Sequence, residues 1–346
     1  MGGGVGVENT LGVASHHRQN RRGRQKEACG WQLPKPSYSF LSPVLSPDPA
    51  PTSRPDPDAL RAARRYAALQ PSIVDKSPFF DAMVRMVEAA GSPPERIVEL
   101  GIGTGGFVEA AARRRTWPAA ECVGCDLSAA RIAVAREMLE NLGAGAQLRA
   151  GVNALDAADP FYDDVVPPGS ADVVVLSQFE HYAPNDDGSA LAGWLRQAGR
   201  RYCPKAALRR LARSRLRPGG WLFVIDDYGA GTPAEQDVWS RAWDAHVVRE
   251  LSQPEVLQAV ARFDPKWAAT LARSYDASRP WEERLALAAR ARERRRHRDG
   301  EETQSLVAAR ADFAALFADG DHGMVPHPQT TTHPQFFLHW GRVPQA

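Results

Sequence analysis

The sequence predicts an α/β protein with a doubly wound, mostly parallel sheet, and three observations predict it. Short, dense apolar runs recur along the chain, helical patterns separate them, and a glycine-rich turn joins the first run to its helix. The runs are RIVEL (96–100), ECVGC (121–125), QLRAGV (147–152), ADVVVL (171–176) and GWLFVI (220–225). Each has the length and density of a strand buried on both faces. Helical patterns fill 105–115, 128–142 and 188–216, the last divided at Pro204, a residue suited to the first turn of a new helix.

Two helices are expected ahead of the first strand. Asp58 reads as an N-cap for ALRAARRYAAL, with Leu60, Ala63, Tyr66 and Ala67 at helical spacing. In the second, Phe79, Met83, Met86 and Val87 share one face and Gly91 is the stop. From Pro233 to about Asp319 the rhythm is helical throughout, with prolines at 233, 254 and 265 opening segments. This reads as a helical insertion or cap spanning 229–320. The aromatic run QFFLHWGRV (335–343) then suits a last strand returning to the sheet.

Composition bounds the function. Hydrophobic residues at 43% and charged residues at 24% are ordinary for a globular chain of 346 residues. The 43 basic and 41 acidic side chains nearly cancel, so no global field steers the molecule to DNA or an anionic membrane. Residues 1–58 differ in kind: rich in Gly, Pro, Ser and Arg, they read as a disordered tail, and 59–346 as one domain. Four scattered cysteines make no disulfide framework, and no run approaches the roughly 20 apolar residues of a membrane span. With no apolar signal segment at the start, a cytoplasmic address is expected.

The most informative segment is VELGIGTGGF (98–107), which follows a strand and opens a helix. Gly101, Gly103 and Gly106 formally satisfy the dinucleotide fingerprint, with Asp126 twenty residues on. Glu99 argues otherwise. At the carboxyl end of the first strand a carboxylate repels a pyrophosphate and draws an ammonium group, which favours a cationic amino-acid ligand. Gly101, Gly103 and Gly105 also form a tighter series, and VGCDLS places Asp126 to accept hydrogen bonds from both ribose hydroxyls.

These residues, with the LRPGGWLFVI turn and strand (216–225), resemble class I S-adenosylmethionine-dependent methyltransferases over about residues 75–228 and the last strand. The resemblance implies a Rossmann-like, seven-stranded sheet with its last strand antiparallel, and S-adenosyl-L-methionine as cofactor. It implies that Glu99, Gly101, Gly103 and Gly105 hold the methionine part, Asp126 the ribose, and Leu127 the adenine face. The third motif is less clean: Asn153-Ala154 and Asp156-Ala157 compete, and Asn153 is preferred because it lies nearer the strand end. Ser177, ending the fourth strand, completes the expected cofactor set.

Chemistry is expected where LSQFEHYAP leaves the fourth strand. Methyl transfer gains much from proximity and orientation, so a base is optional. Glu180, His181 and Tyr182 are the candidates, with His181 suited by a pKa near neutrality; pocket wall is their plainer role. Asp226, Asp227 and Tyr228, after the fifth strand, are expected to bind substrate. No metal is expected, because Ser177-Gln178 stands where metal-dependent relatives place a carboxylate. Cys122 and Cys125 fall inside a strand and read as packing, and His327 and His333 make no metal site by themselves.

The acceptor is expected to be a small molecule methylated on oxygen or nitrogen. SQFEHYAP lacks the Asn/Asp-Pro-Pro-aromatic tetrad of nucleobase-amino methyltransferases. The rival readings are an RNA or protein methyltransferase using the Arg-rich stretches 196–217 and 290–298, and a non-catalytic cofactor-binding protein. Oligomeric state is not legible.

Overall fold

The computed structural model describes residues 55–299 and 301–345. Apart from its last four residues, the expected tail 1–58 lies outside them. Two helices come first, α1 (Pro57–Ile73) and α2 (Ser77–Ala89). The N-cap of α1 is Asp56, whose side chain accepts from Asp58 N–H, because Pro57 takes the first helical position where its missing N–H costs nothing.

The alternating region runs β1 (Arg96–Leu100), α3 (Gly106–Arg114), β2 (Glu121–Asp126), α4 (Ala129–Asn141) and β3 (Gln147–Ala150). It continues with the short α5 (Phe161–Asp164), β4 (Ala171–Ser177), a 3-10 turn at Glu180–Tyr182, α6 (Ala190–Gln197), α7 (Lys205–Ser214) and β5 (Leu216–Asp227). A run of helices follows: α8 (Pro233–Leu251), α9 (Pro254–Ala261), α10 (Pro265–Ser274), α11 (Trp281–Asp299) and α12 (Leu306–Leu316). The chain closes with β6 (Asp321–Pro326) and β7 (Phe336–Arg342).

The seven strands form one sheet in the order β3-β2-β1-β4-β5-β7-β6. The first five pair in parallel, and β7 runs antiparallel to both β5 and β6, as the predicted fold requires. Residues of the central strands alternate between two apolar layers. Val174, Leu176, Leu222 and Val224 face one layer; Val173, Val175, Phe223 and Ile225 face the other. This period of two, buried on both sides, is why the central strands read as unbroken apolar runs.

The segment read as a single insertion divides in two. Helices α8 to α11 pack on one another and on α1, whereas α12 packs on α7, β6 and β7, with Phe313 and Phe317 buried in the sheet core. Arg65 of α1 pairs with Asp264 at 2.6 Å and lies over the Trp267 ring, tying the first helix to this cap. No helix among the described residues is long and apolar enough to cross a membrane.

Candidate active site

The parallel strands β1, β2, β4 and β5 end on one edge, and the predicted site residues gather there. The glycine loop after β1 turns with positive φ at Gly101, Gly103, Gly105 and Gly106. Packing explains three of these glycines. A Cβ at Gly101 would stand 2.1 Å from the Phe179 ring, one at Gly105 2.5 Å from Met138, and one at Gly106 2.0 Å from the Glu99 carboxylate. Gly103 differs, since nothing lies within 4 Å of its Cβ position. Its N–H donates to Asp126 Oδ2 at 3.0 Å, and Asp126 Oδ1 accepts from Ser128 N–H at 2.8 Å.

Glu99 is almost fully buried and accepts from the N–H groups of Phe107 and Val108 at 2.9 and 3.0 Å. It caps α3, filling two donors that a helix start leaves open. Burial drives its carboxyl upward, while these hydrogen bonds and the nearby Lys76 ammonium oppose that. Lys76 is itself buried in the connection between α1 and α2, and its Nζ donates to Ser177 Oγ at 3.0 Å. Desolvation pushes its pKa down, against the pull of Glu99, Asp226 and Glu109.

Beyond the glycine loop, Gly101, Asp126, Leu127, Asn153, Ala154 and Tyr182 border a small cavity of about 30 Å³. Asn153 points its amide at the Arg201 carbonyl and its Oδ1 at Leu155 N–H, while Ala154 C=O accepts from the Tyr162 hydroxyl. Phe179 borders the same cavity from the far side. A second cavity, of about 670 Å³, lies between α1, α2, α3 and α4 and reaches Lys76, Thr104 and Gly106.

The turn after β4 carries strain and charge together. Gln178 adopts φ 51, a left-handed conformation unusual for a side-chain-bearing residue. Glu180 and Arg209 are both 1% exposed and form a two-pronged ion pair, with Nη2 to Oε2 at 2.6 Å. Arg209 also donates to Gln304 at 2.7 Å and Asp312 at 3.1 Å. Glu180 is thus held inside a structural network. Lys205 clasps the carbonyls of Ala183 and Glu302, each at 2.6 Å, and Glu302 N–H donates to His181 C=O. Residues 302–305 therefore strap the turn to β5, where Gly229 N–H donates to Gln304 C=O.

His181 and Asp226 form the centre of this corner. Nδ1 lies 2.7 Å from Asp226 Oδ1, and the His181 N–H donates to Oδ2 at 3.0 Å. Asp227 Oδ1 lies 3.7 Å from the same Nδ1. Burial alone lowers the imidazole pKa, but the Asp226 charge and hydrogen bond overcome it and carry the group to about 9. The near-neutral value expected from sequence assumed an unpaired ring. Tyr182 packs against this ring at 4.2 Å, while Tyr228, 2% exposed, is enclosed by Phe337 and His339.

His181, Asp226 and Asp227 bring ligand-type atoms within 4.8 Å of one another. After β4 the group that joins the two carboxylates is a histidine nitrogen, where the sequence reading looks for a carboxylate oxygen. Asp226 nevertheless spends both oxygens on His181 and on Asp227 N–H. Cys122 and Cys125 carry free thiols whose pKa burial raises, to about 11 for Cys122. His327 and His333 join His246 in an aromatic cluster with Trp243 and Phe79, where His327 Nε2 meets Asp75 C=O and His246 Nε2 meets Ile73 C=O.

Lys76, Lys205 and the 302–305 strap escaped the sequence reading, and Arg209, which the pattern of 208–217 puts on a solvated helix face, is instead buried against Glu180. The one available signal was the rarity of lysine, since five lysines in 346 residues leave each needing a reason.

Residues 97–199 match the family model described as a methyltransferase domain. None of the curated proteins matches the sequence. Among solved structures, an O-methyltransferase family protein from Burkholderia thailandensis aligns at 15% identity over 78% of this chain and 60% of its own, with TM-score 0.42. A SAM-dependent methyltransferase from Aquifex aeolicus aligns at 9% identity over 84% and 100%, with TM-score 0.40. An O-methyltransferase family 2 protein from Planctomyces limnophilus, in complex with apigenin, aligns at 18% over 78% and 64%, with TM-score 0.38.

Proposed function

We propose that the chain is a class I S-adenosylmethionine-dependent methyltransferase that methylates an oxygen or nitrogen of a small-molecule acceptor at the β4–β5 corner, a reading supported by the methyltransferase-domain match over residues 97–199. The observation that carries this reading is the His181–Asp226 pair, an imidazole oriented at the strand ends where the family places its methyl acceptor and able to take a proton in its neutral form.

The residues suit the cofactor in chemistry. Asp126 offers a carboxylate, the open face of Gly103 offers close backbone approach, and the α3 start lies beside them. In volume the fit is conditional on one side chain. A cavity of about 30 Å³ does not hold an adenosyl group, and the Phe179 ring occupies the space over Gly101. In this proposal Phe179 swings away on binding, from a turn already strained at Gln178.

When bound, S-adenosylmethionine supplies a methyl group already activated by its sulfonium. The protein's own work is placement and proton removal. Asp226 fixes Nδ1–H of His181, which leaves Nε2 to take the acceptor's proton once the ring is neutral. Asp227 adds negative charge that stabilises the resulting imidazolium. Glu180 has no part in that transfer, since both its oxygens answer Arg209. Burial of Tyr228 likewise leaves the polar contacts to Asp227.

Four arginines of the Arg-rich stretches are engaged within the protein, which favours the small-molecule reading at those positions. Arg209 is buried, Arg213 pairs with Asp319 at 2.7 Å, Arg217 with Glu95 at 3.0 Å, and Arg292 with Asp244 at 3.0 Å. Side chains of 295–298 lie outside the described residues. The test pairs calorimetry of S-adenosylhomocysteine binding with methyl transfer to a panel of phenols, carboxylic acids and amines by wild type and His181→Gln. Binding with transfer lost in the variant is expected. Absence of binding by the wild type would refute the cofactor assignment, and full transfer by the variant would refute the base.

A further inference from the structure

The buried ammonium of Lys76 has a use that the proposed base and ribose contacts leave unassigned. Its Nζ sits at the ends of three adjacent strands, within the electrostatic reach of Glu99 on β1 and Asp226 on β5 and bonded to Ser177 at the end of β4. Lysine is almost never this deeply buried without a paired charge. Yet the hydrogen bond recorded for Nζ among the described residues goes to a neutral hydroxyl at 3.0 Å, and an ammonium has three donors.

The acids nearby are otherwise engaged. Glu99 accepts from two α3 N–H groups, and Asp226 accepts from His181 and Asp227. Glu109, the third acid in range, pairs with Arg113. Lys76 thus faces a set of negative charges with donors to spare. Lys76, Thr104 and Gly106 all line the 670 Å³ cavity, so the lysine and the end of the glycine loop share one cavity. A carboxylate held in that cavity beside the loop has a cation in its lining.

We infer that Lys76 is the ligand of the carboxylate on the amino-acid end of the bound cofactor. The inference rests on the methyltransferase reading above. It also divides labour at the β1 end differently from the sequence expectation, in which Glu99 and the loop glycines met that end of the cofactor without a cation. Glu99 here caps α3 and balances Lys76, and Lys76 reads the opposite charge on the ligand. A lone carboxylate would attract the ligand's ammonium and repel its carboxylate, so a neighbouring cation resolves the conflict.

The experiment measures binding of three compounds by calorimetry to wild type and to Lys76→Gln: S-adenosylhomocysteine, its decarboxylated analogue, and 5'-methylthioadenosine. Wild type should bind S-adenosylhomocysteine about tenfold to a hundredfold more tightly than the decarboxylated analogue, the range for a hydrogen bond between charged groups. Lys76→Gln should bind those two alike while keeping wild-type affinity for 5'-methylthioadenosine, which reports an intact adenosine site. Equal binding of the first two compounds by wild type overturns the assignment without any variant. A carboxylate preference that survives in Lys76→Gln overturns it as well, and so does a uniform loss for all three compounds, which marks a structural lysine. Failure of wild type to bind any of the three would instead remove the underlying cofactor reading.

Discussion

Raising the pH from 6 to 10 should remove the positive charge of His181 and leave the Asp226 carboxylate unpaired, and both stability and turnover should report it. The folded imidazole pKa of about 9 exceeds the ordinary value of 6.5. Protonated His181 therefore stabilises the fold fully below pH 6.5, and that contribution disappears as pH rises through 9. A difference of this size corresponds to at most about 3–4 kcal/mol, because each pKa unit is about 1.4 kcal/mol, and burial of Asp226 raises its own carboxyl, offsetting part of the gain. Urea unfolding of wild type and His181→Gln across this range isolates the effect from other titrating groups. The gap between the two should narrow from pH 6.5 to 9 and be constant outside it. Turnover on a hydroxyl acceptor should rise about tenfold per pH unit and level off near 9, since about one ring in a hundred is neutral at pH 7. A stability gap that does not change with pH would refute the ion pair. A turnover limb centred near 6.5 would refute the pairing as the control of the base.

Glu180→Gln leaves buried Arg209 with Asp312 as its remaining anionic partner and should cost about 1–3 kcal/mol in chemical denaturation, while S-adenosylhomocysteine affinity measured in the folded baseline stays unchanged. Asp126→Ala should weaken S-adenosylhomocysteine binding by calorimetry about tenfold or more; unchanged affinity would remove Asp126 from the ribose site. Phe179→Ala should strengthen that binding, because the ring over Gly101 no longer has to move; weaker binding would make Phe179 part of the ligand's packing. Methyl transfer should persist in EDTA, since the Asp226 oxygens are already filled, and loss of activity restored by Mg²⁺ would reassign the cluster to a metal.

Much of the fold was legible because the central strands are buried on both faces. Runs such as 171–176 cannot alternate with polar residues, so they stand out from the helices around them. The edge strand β6 was not legible. Its sequence DHGMVP holds a glycine and a proline, and it is a strand because it pairs with β7 and because Gly323 lets the Trp340 ring lie close. Local preference says nothing about either fact. The boundary of the helical insertion failed in the same way, since Phe313 and Phe317 look amphipathic in any context and only packing assigns α12 to the sheet.

At the site the division follows sequence distance. Residues at strand ends, such as Asp126, Ser177 and Asp226, were found because the strand places them, whatever their partners. What they do depends on partners far along the chain: Lys76 meets Ser177 across 101 positions, and Glu180 meets Arg209 across 29. Those partners change the chemistry. Glu180 becomes a structural anion, His181 gains a high pKa, and Glu99 caps a helix beside a cation. A buried carboxylate found by motif is therefore only half a description of a charge site. The side chain that neutralises it decides whether a ligand meets a cation, an anion or neither, and at the β1 end of this sheet that side chain is Lys76.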